Sequence, residues 1–252
     1  MEKIKTLILA HRGASGYYPE NTMTAFRKAI EMGADGFELD VHLTKDGKLA
    51  VIHDETVNRT SFHRGYVKDF TLAQLKGMNF NRKRNFRGKE PIPTLEEVLD
   101  LLKPTSLILN IELKTNVIDY PGIEAKVLAA VKERGMEDRI IYSSFNHQTV
   151  ARIRKLDPSA QVGYLFEEDW QGAVADYDRY GGQALHPDKK FVLIPEFVEA
   201  CGKRGADINT WTVNKEQTME DFMKMGLHCI ITNYPDKAVN IRNQLNNLLQ
   251  KD

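Results

Sequence analysis

Cysteine is scarce in this chain: 252 residues include only Cys201 and Cys229. Two cysteines make no disulfide framework, and the simplest reading is a pair of buried thiols in a reducing compartment. Neither sign of charge is in surplus, because 35 Lys and Arg offset 35 Asp and Glu. Nucleic-acid binders usually carry a basic excess, so no nucleic-acid partner is expected. Long apolar runs are missing too. None approaches the ~20 residues of a membrane span. The one apolar segment near the start is short and runs straight into His11-Arg12-Gly13, unlike a signal peptide. The expectation is a soluble, cytoplasmic protein with no stable membrane insertion. Several signature motifs are absent as well: a phosphate-binding P-loop, His-Glu-x-x-His, Cys-x-x-Cys, Gly-x-Ser-x-Gly and a spaced dinucleotide fingerprint.

What is present is a rhythm. Short apolar runs fall at Ile4–Ala10, Gly36–Val41, Leu107–Leu113, Arg139–Ser143, Gln161–Phe166, Gln183–Leu185, Asp207–Thr212 and Cys229–Thr232. Amphipathic stretches at helical spacing alternate with them: Asn21–Met32, Leu95–Leu102, Gly122–Arg134, His147–Leu156, Trp170–Tyr180, Pro195–Lys203, Glu216–Met225 and Pro235–Leu249. Strands alternating with helices pair in parallel through right-handed crossovers, and eight such units can close into a (β/α)8 TIM barrel. A doubly wound open sheet is the structural competitor, and two ordinary domains are the competitor by length. No linker-like composition shift divides the chain, so residues 1–252 are read as one catalytic domain.

The rhythm breaks once, after the second strand, where an insertion of approximately residues 42–92 precedes the next helix. Asp46-Gly47 between extended segments predicts a hairpin turn, and a structureless loop of that length is improbable, so a small subdomain is expected there. Within it the stretch Asn79–Lys89 carries Arg82, Lys83, Arg84, Arg87 and Lys89. That stretch is either a solvated loop or an attractor of anionic substrate or a membrane surface.

In such barrels the C-terminal strand ends face the active site. His11 and Arg12 close the first strand, Glu38 and Asp40 the second, Asn110, Glu112 and Lys114 the third, and Trp211 the seventh. Residues two apart on a strand share a face, which aligns Glu38 with Asp40 and Glu112 with Lys114. Three carboxylates converging on one mouth must be protonated, paired with cations or bound to a metal. With no cysteine nearby, their oxygens suit one hard divalent cation, Mg²⁺ or Ca²⁺. A salt-bridge network on the barrel rim is the bland alternative.

His53 ends the run Ala50–Ile52 as His11 ends the first strand, and two imidazoles flanking a phosphoryl centre can serve as acid and base. His42 continues the Glu38 and Asp40 face, but the turn ahead is expected to re-aim it. His186 is expected to border the pocket, while His63, His147 and His228 read as surface or structural. The indole of Trp211 suits packing on a small organic group, or simply the barrel top. In Thr232-Asn233-Tyr234-Pro235 the simplest role is to end the last strand and start the final helix.

The order of these pieces resembles the glycerophosphodiester phosphodiesterase family. It runs His11-Arg12-Gly13, Pro19-Glu20-Asn21-Thr22, Glu38-Leu39-Asp40-Val41, Thr44-Lys45-Asp46-Gly47, His53-Asp54 and Arg59-Thr60. Pro93-Thr94-Leu95-Glu96-Glu97, Ile111-Glu112-Leu113-Lys114, Ser144-Phe145-Asn146 and Trp211-Thr212-Val213-Asn214 then follow. The resemblance spans roughly residues 8–236. It implies a phosphatidylinositol-phospholipase-like barrel with a family-specific insertion and metal-dependent hydrolysis to sn-glycerol 3-phosphate and an alcohol. Carried onto matching positions, it implies Glu38, Asp40 and Glu112 as metal ligands and His11 and His53 as the acid/base pair. Arg12 and Lys114 would contact phosphate, and Trp211 the substrate. Many members read Thr-Asp-x-Pro where this chain has Asn233, a change expected to leave the chemistry untouched, with no role given to Asn233. The partner implied is a small-molecule diester, acted on by a monomer or homodimer. Two competing functions are a lysophospholipase D-type activity on lysophospholipids and a non-catalytic phosphodiester-binding barrel. Intact His11 and His53 argue against the second.

Overall fold

The computed structural model describes residues 3–82 and 88–250. Eight parallel strands form a closed barrel: β1 (Leu7–His11), β2 (Gly36–Leu43), β4 (Ile108–Leu113), β5 (Ile140–Ser144), β6 (Gln161–Phe166), β7 (Ala184–Pro187), β8 (Asp207–Thr210) and β9 (Cys229–Thr232). The β1–β2 pairing closes the ring, and the short strand β3 (Leu49–Val51) adds antiparallel to the end of β2. The (β/α)8 reading therefore holds, and the open-sheet competitor is excluded by that closure.

The outer helices are α1 (Met23–Glu31), α3 (Leu95–Leu102), α4 (Ile123–Lys132), α5 (His147–Leu156), α6 (Trp170–Tyr180), α7 (Pro195–Arg204), α8 (Glu216–Lys224) and α9 (Pro235–Leu249). Their starts follow from local chemistry. Thr94 caps α3 with Glu97 reaching back to its amide, a capping box, and Pro195 and Pro235 sit in the first turns of α7 and α9. Each helix buries one stripe. In α1 that stripe is Ala25, Phe26 and Ala29, with Phe26 stacked on Phe37 of β2 at 4.5 Å between centroids. Gly13, at φ +77°, lets the β1–α1 loop lie against this helix, where a Cβ would meet the Ala25 backbone at 2.7 Å.

The segment between β3 and α3 folds around a small core of its own. Ala50, Ile52, Val57, Val67, Leu75, Met78, Phe80 and Ile92 are its buried members. A 3-10 turn (Val67–Asp69) and the helix α2 (Leu72–Gly77) build it, the latter capped by Thr71 and Gln74. Asp46-Gly47 does form the turn between β2 and β3, with the Gly47 amide donating to the Thr44 carbonyl at 2.9 Å. Of the basic stretch, Arg82 donates to the carbonyls of Asn58 and Ser61 and so ties the segment together, while Lys83, Arg84 and Arg87 lie outside the described residues. Cys201 and Cys229 are both buried and unpaired. Among the described residues no helix is long and apolar enough to cross a membrane.

Candidate active site

Strand register brings the acidic groups together. On adjacent parallel strands His11 lies beside Glu38, Glu38 beside Asn110, and Asp40 beside Glu112. Ligand oxygens of Glu38, Asp40 and Glu112 consequently fall within 4.8 Å of one another, all buried. Glu38 and Glu112 line a cavity of about 260 Å³ at the barrel mouth, and Asp40 is wholly buried. His11, Arg12, His53, Lys114, Asn110, Phe145, Glu167 and Trp211 also line the cavity.

Cations partly offset this charge. Lys114 donates to Glu112 at 2.7 Å and stands 3.9 Å from Asp40, while the Arg12 guanidinium lies 3.4 Å from Asp40. Burial works against the ionised form of Asp40, yet His53, Arg12, Lys114 and the Asn21 amide together hold its carboxyl below the usual range. For Glu38, burial and the neighbouring Asp40 charge win, and its carboxyl is pushed well above the ordinary value. Glu112 is also raised, by burial first, against the pull of Lys114. One member of the set thus holds its charge and two resist theirs. A divalent cation would resolve that conflict, and Asp40 Oδ1, buried without a hydrogen-bond partner, is an oxygen available to ligate it. The residues present fit such an ion.

The two histidines reach the cavity by different routes. His11 ends β1, with Nε2 4.0 Å from Glu38 and Nδ1 2.7 Å from the Asn233 side-chain oxygen. Burial, then the Arg12 charge, drops it to about 3, so it is neutral near pH 7. His53 is delivered by the insertion. Its Nδ1 faces the Asp54 carboxylate at 2.7 Å, and its Nε2 stands 3.4 Å from the Lys114 ammonium. Arg59 clamps both Asp54 and Glu20, and Glu20 accepts from Arg12, so one chain of ion pairs links the two sides of the mouth.

Backbone strain concentrates at the same place. Arg12 and Asn21, both at φ 54°, are the two non-glycine residues in left-handed conformation among the described residues. The conformation of Arg12 lets its amide donate to Glu38 at 3.0 Å, and Asn21 uses its side-chain amide on Asp40 at 2.8 Å.

His42 is indeed turned away from the carboxylates. Its ring bridges the Tyr120 hydroxyl and the His53 carbonyl, each at 3.1 Å, and so braces His53. His186 corrects an expectation: it does not border the cavity. It is wholly buried inside the barrel against Asn209, in space that the missing side chain of Gly163 leaves open. His147 pairs with Asp176, and His228 with Asn209. Trp211 sits in the cavity wall, its N–H donating to the His186 carbonyl at 2.9 Å and its ring edge-on to Phe145.

Asn233 is the larger correction. Far from only ending a strand, it holds His11. Glu20, Asn21, Asp54 and Arg59 also escape a reading by strand ends alone, since each acts through a partner distant in sequence or on the insertion. The signal that could have found them is their place in the ordered pieces Pro19-Glu20-Asn21-Thr22, His53-Asp54 and Arg59-Thr60.

A parallel barrel with three buried carboxylates and two histidines at its C-terminal mouth defines a class, barrel enzymes whose acidic cluster is compatible with a divalent cation. Within that class, residues 11–237 match the Glycerophosphoryl diester phosphodiesterase family, and the chain belongs to it. A glycerophosphodiester phosphodiesterase of Caldanaerobacter subterraneus subsp. tengcongensis is 46% identical over 246 residues, covering 94% of this chain and 98% of that protein. Among solved structures, a glycerophosphodiester phosphodiesterase from Thermotoga maritima superposes with TM-score 0.78 at 30% identity, covering 94% of this chain and 98% of that one. A phosphodiesterase from Oleispira antarctica, solved in complex with the product sn-glycerol-3-phosphate, has TM-score 0.80 at 26% identity, covering 94% and 96%.

Proposed function

We propose that this chain hydrolyses small glycerophosphodiesters to sn-glycerol 3-phosphate and an alcohol, with one Mg²⁺ or Ca²⁺ held by Glu38, Asp40 and Glu112. One observation carries the reading: two members of a buried three-carboxylate cluster, Glu38 and Glu112, line a single cavity with two histidines and two cations. When bound, the ion would supply a Lewis acid that neutralises charge on a phosphate oxygen.

The chain's own residues supply the rest. Arg12 and Lys114 present N–H donors to the other phosphate oxygens, where charge grows as the phosphoryl centre is attacked. His11 and His53 present ring nitrogens to the same space. One takes a proton from the nucleophile and the other returns one to the departing alcohol as its P–O bond breaks. Water, or the neighbouring glycerol hydroxyl by way of a cyclic phosphate, is the nucleophile. The ring of Trp211 packs on the glycerol or alcohol carbons. The cavity favours a small diester over a lysophospholipid, because its apolar lining among the described residues is limited to Phe145, Leu165, Trp211 and Ile231. A cytoplasmic setting is proposed with this activity, on the balanced charge and the unpaired thiols.

The test is release of glycerol 3-phosphate from glycerophosphocholine and glycerophosphoethanolamine, in EDTA, Mg²⁺ or Ca²⁺, beside His11→Ala. Metal-dependent release that disappears in the variant is the expected result. No release under any metal rejects the small-diester reading, and lysophospholipids are then the next substrates to try.

A further inference from the structure

Asn233 and His11 are 222 positions apart in sequence, yet their side chains meet at 2.7 Å between Asn233 Oδ1 and His11 Nδ1. Two features make this contact a built one. Asn233 is held on its own account: its backbone N–H donates to Asn214 Oδ1 at 3.0 Å, and its backbone carbonyl accepts from the Gly16 N–H at 2.8 Å. Ser15 then joins both partners, its hydroxyl lying 3.0 Å from Asn233 Oδ1 and 2.7 Å from the His11 carbonyl. The loop after β1 and the loop after β9 are thereby sewn together around one imidazole, and Gly16 has no side chain because the ring of Tyr234 stands where it would be, 2.4 Å from a Cβ.

A neutral imidazole carries its proton on one nitrogen and a lone pair on the other, and the group bonded to one nitrogen determines the state of the other. An amide oxygen can only accept. We propose that Asn233 is a positioning residue that locks His11 in the tautomer protonated at Nδ1, so that the Nε2 lone pair is presented to the cavity beside Glu38. The inference rests on the reading of His11 as a proton-transfer group in diester hydrolysis. An acceptor without charge achieves the lock without adding a further negative group to a mouth that already holds Glu38, Asp40, Glu112 and Glu20. His53, whose Nδ1 is held by the Asp54 carboxylate, is oriented by a charged partner instead, so the two rings differ in what holds them.

The spectroscopic test needs no substrate. Long-range ¹H–¹⁵N correlation spectra of ¹⁵N-histidine-labelled protein distinguish the two tautomers, and His11→Gln assigns the signal. The expected wild-type pattern has the proton on Nδ1. In Asn233→Ala the signal should move toward the other tautomer or a mixture, and in Asn233→Asp, whose oxygen accepts the same bond, it should not. Kinetically, Asn233→Ala should lower kcat by ~10-fold or more with KM little changed, and Asn233→Asp should recover most of that loss. A wild-type proton on Nε2 overturns the proposal, as does an Asn233→Ala protein that keeps both the Nδ1 pattern and full kcat. If the alanine variant does not fold, the position of the proton in the wild-type spectrum decides the matter. If no diester is hydrolysed at all, the activity reading fails while the tautomer result still stands by itself.

Discussion

Glu38 is the residue at which the competing forces of this site are most exposed. Its carboxyl is buried, faces the Asp40 charge and is pushed well above the ordinary carboxylate value. A group whose folded pKa is raised in this direction makes the metal-free protein less stable once pH exceeds its ordinary value, because ionisation is then harder in the folded state than in the unfolded one. Two outcomes follow at this scale. Glu38→Gln should leave the metal-free protein as stable as wild type or more so, while weakening Mg²⁺ or Ca²⁺ binding by roughly 100-fold, as expected when an isosteric amide replaces a charged oxygen ligand. Thermal denaturation in EDTA and calorimetric titration with each ion check the two halves, and a destabilised metal-free variant contradicts the argument. In addition, a cation entering the wild-type site competes with protons for Glu38 and Glu112, whose carboxyls both bind a proton more tightly than usual. Affinity should therefore fall as pH is lowered. Where those protons are still held, the apparent binding enthalpy should change with the ionisation enthalpy of the buffer, and titrations in Pipes and Tris at one pH would reveal it. Identical enthalpies at each pH tested would mean that both carboxyls are already ionised.

At the scale of elements, the site is a product of register. Because Asp40 and Glu112 are neighbours on paired strands, a shift of one residue between β2 and β4 would turn the carboxylates away from the cavity. This much is legible in the chain: the apolar runs give the strands, period two gives the shared faces, and α3, α5, α6 and α9 begin and end where their caps and periodicity indicate. For helix α1 the chain offers Asn21 or Thr22 as N-cap, and the structure takes Thr22, because Asn21 is drawn into a left-handed conformation and its side-chain amide bonds Asp40. Other elements are not legible, for definite reasons. Helix α2 is six residues long, too short for periodicity to show. Asn233 has a meaning only through its contact with a residue at the other end of the chain. The insertion is the element with the clearest separate behaviour, since its core is distinct from that of the barrel. Leu75, wholly buried there, should cost about 2–5 kcal/mol when truncated to Ala. The loss should be local. Hydrogen exchange is expected to accelerate by roughly 30-fold or more at amides of residues 50–80 while β5–β8 keep their protection, with kcat falling because His53 rides on this segment. Uniform acceleration across the barrel would show that the insertion has no independent stability.

For the whole molecule, the consequential feature is the chain of ion pairs that fastens the insertion to the barrel. His53, Asp54, Arg59, Glu20 and Arg12 form it, and Glu20 is the joint, accepting from Arg59 at 2.6 and 2.7 Å and from Arg12 at 2.9 Å. Burial opposes the charge on Glu20, but Arg59 and Arg12 prevail and bring its carboxyl down to about 2 from an ordinary 4.5. For a carboxyl lowered in the folded state, the stabilisation is fully present above the ordinary value and is lost as pH falls through the folded value. At about 1.4 kcal/mol per pKa unit, with the side chain 17% exposed, the contribution is on the order of 3 kcal/mol at neutral pH. Glu20→Gln should therefore unfold at lower urea concentration than wild type at pH 7. The gap should persist down to pH 5 and narrow as pH falls from 4.5 toward 2. The comparison belongs in EDTA, because a bound cation stabilises the folded state by mass action and carries its own pH dependence. A gap that stays constant from pH 7 to below 3 would assign the effect to packing of the Glu20 side chain instead. Loss of the joint should also reach the chemistry. The variant's kcat at pH 7 should fall, because Arg12 and Arg59, which in turn clamps Asp54 of the Asp54–His53 pair, would each lose a charged partner across the mouth, and a kcat equal to wild type would show that the network serves stability alone.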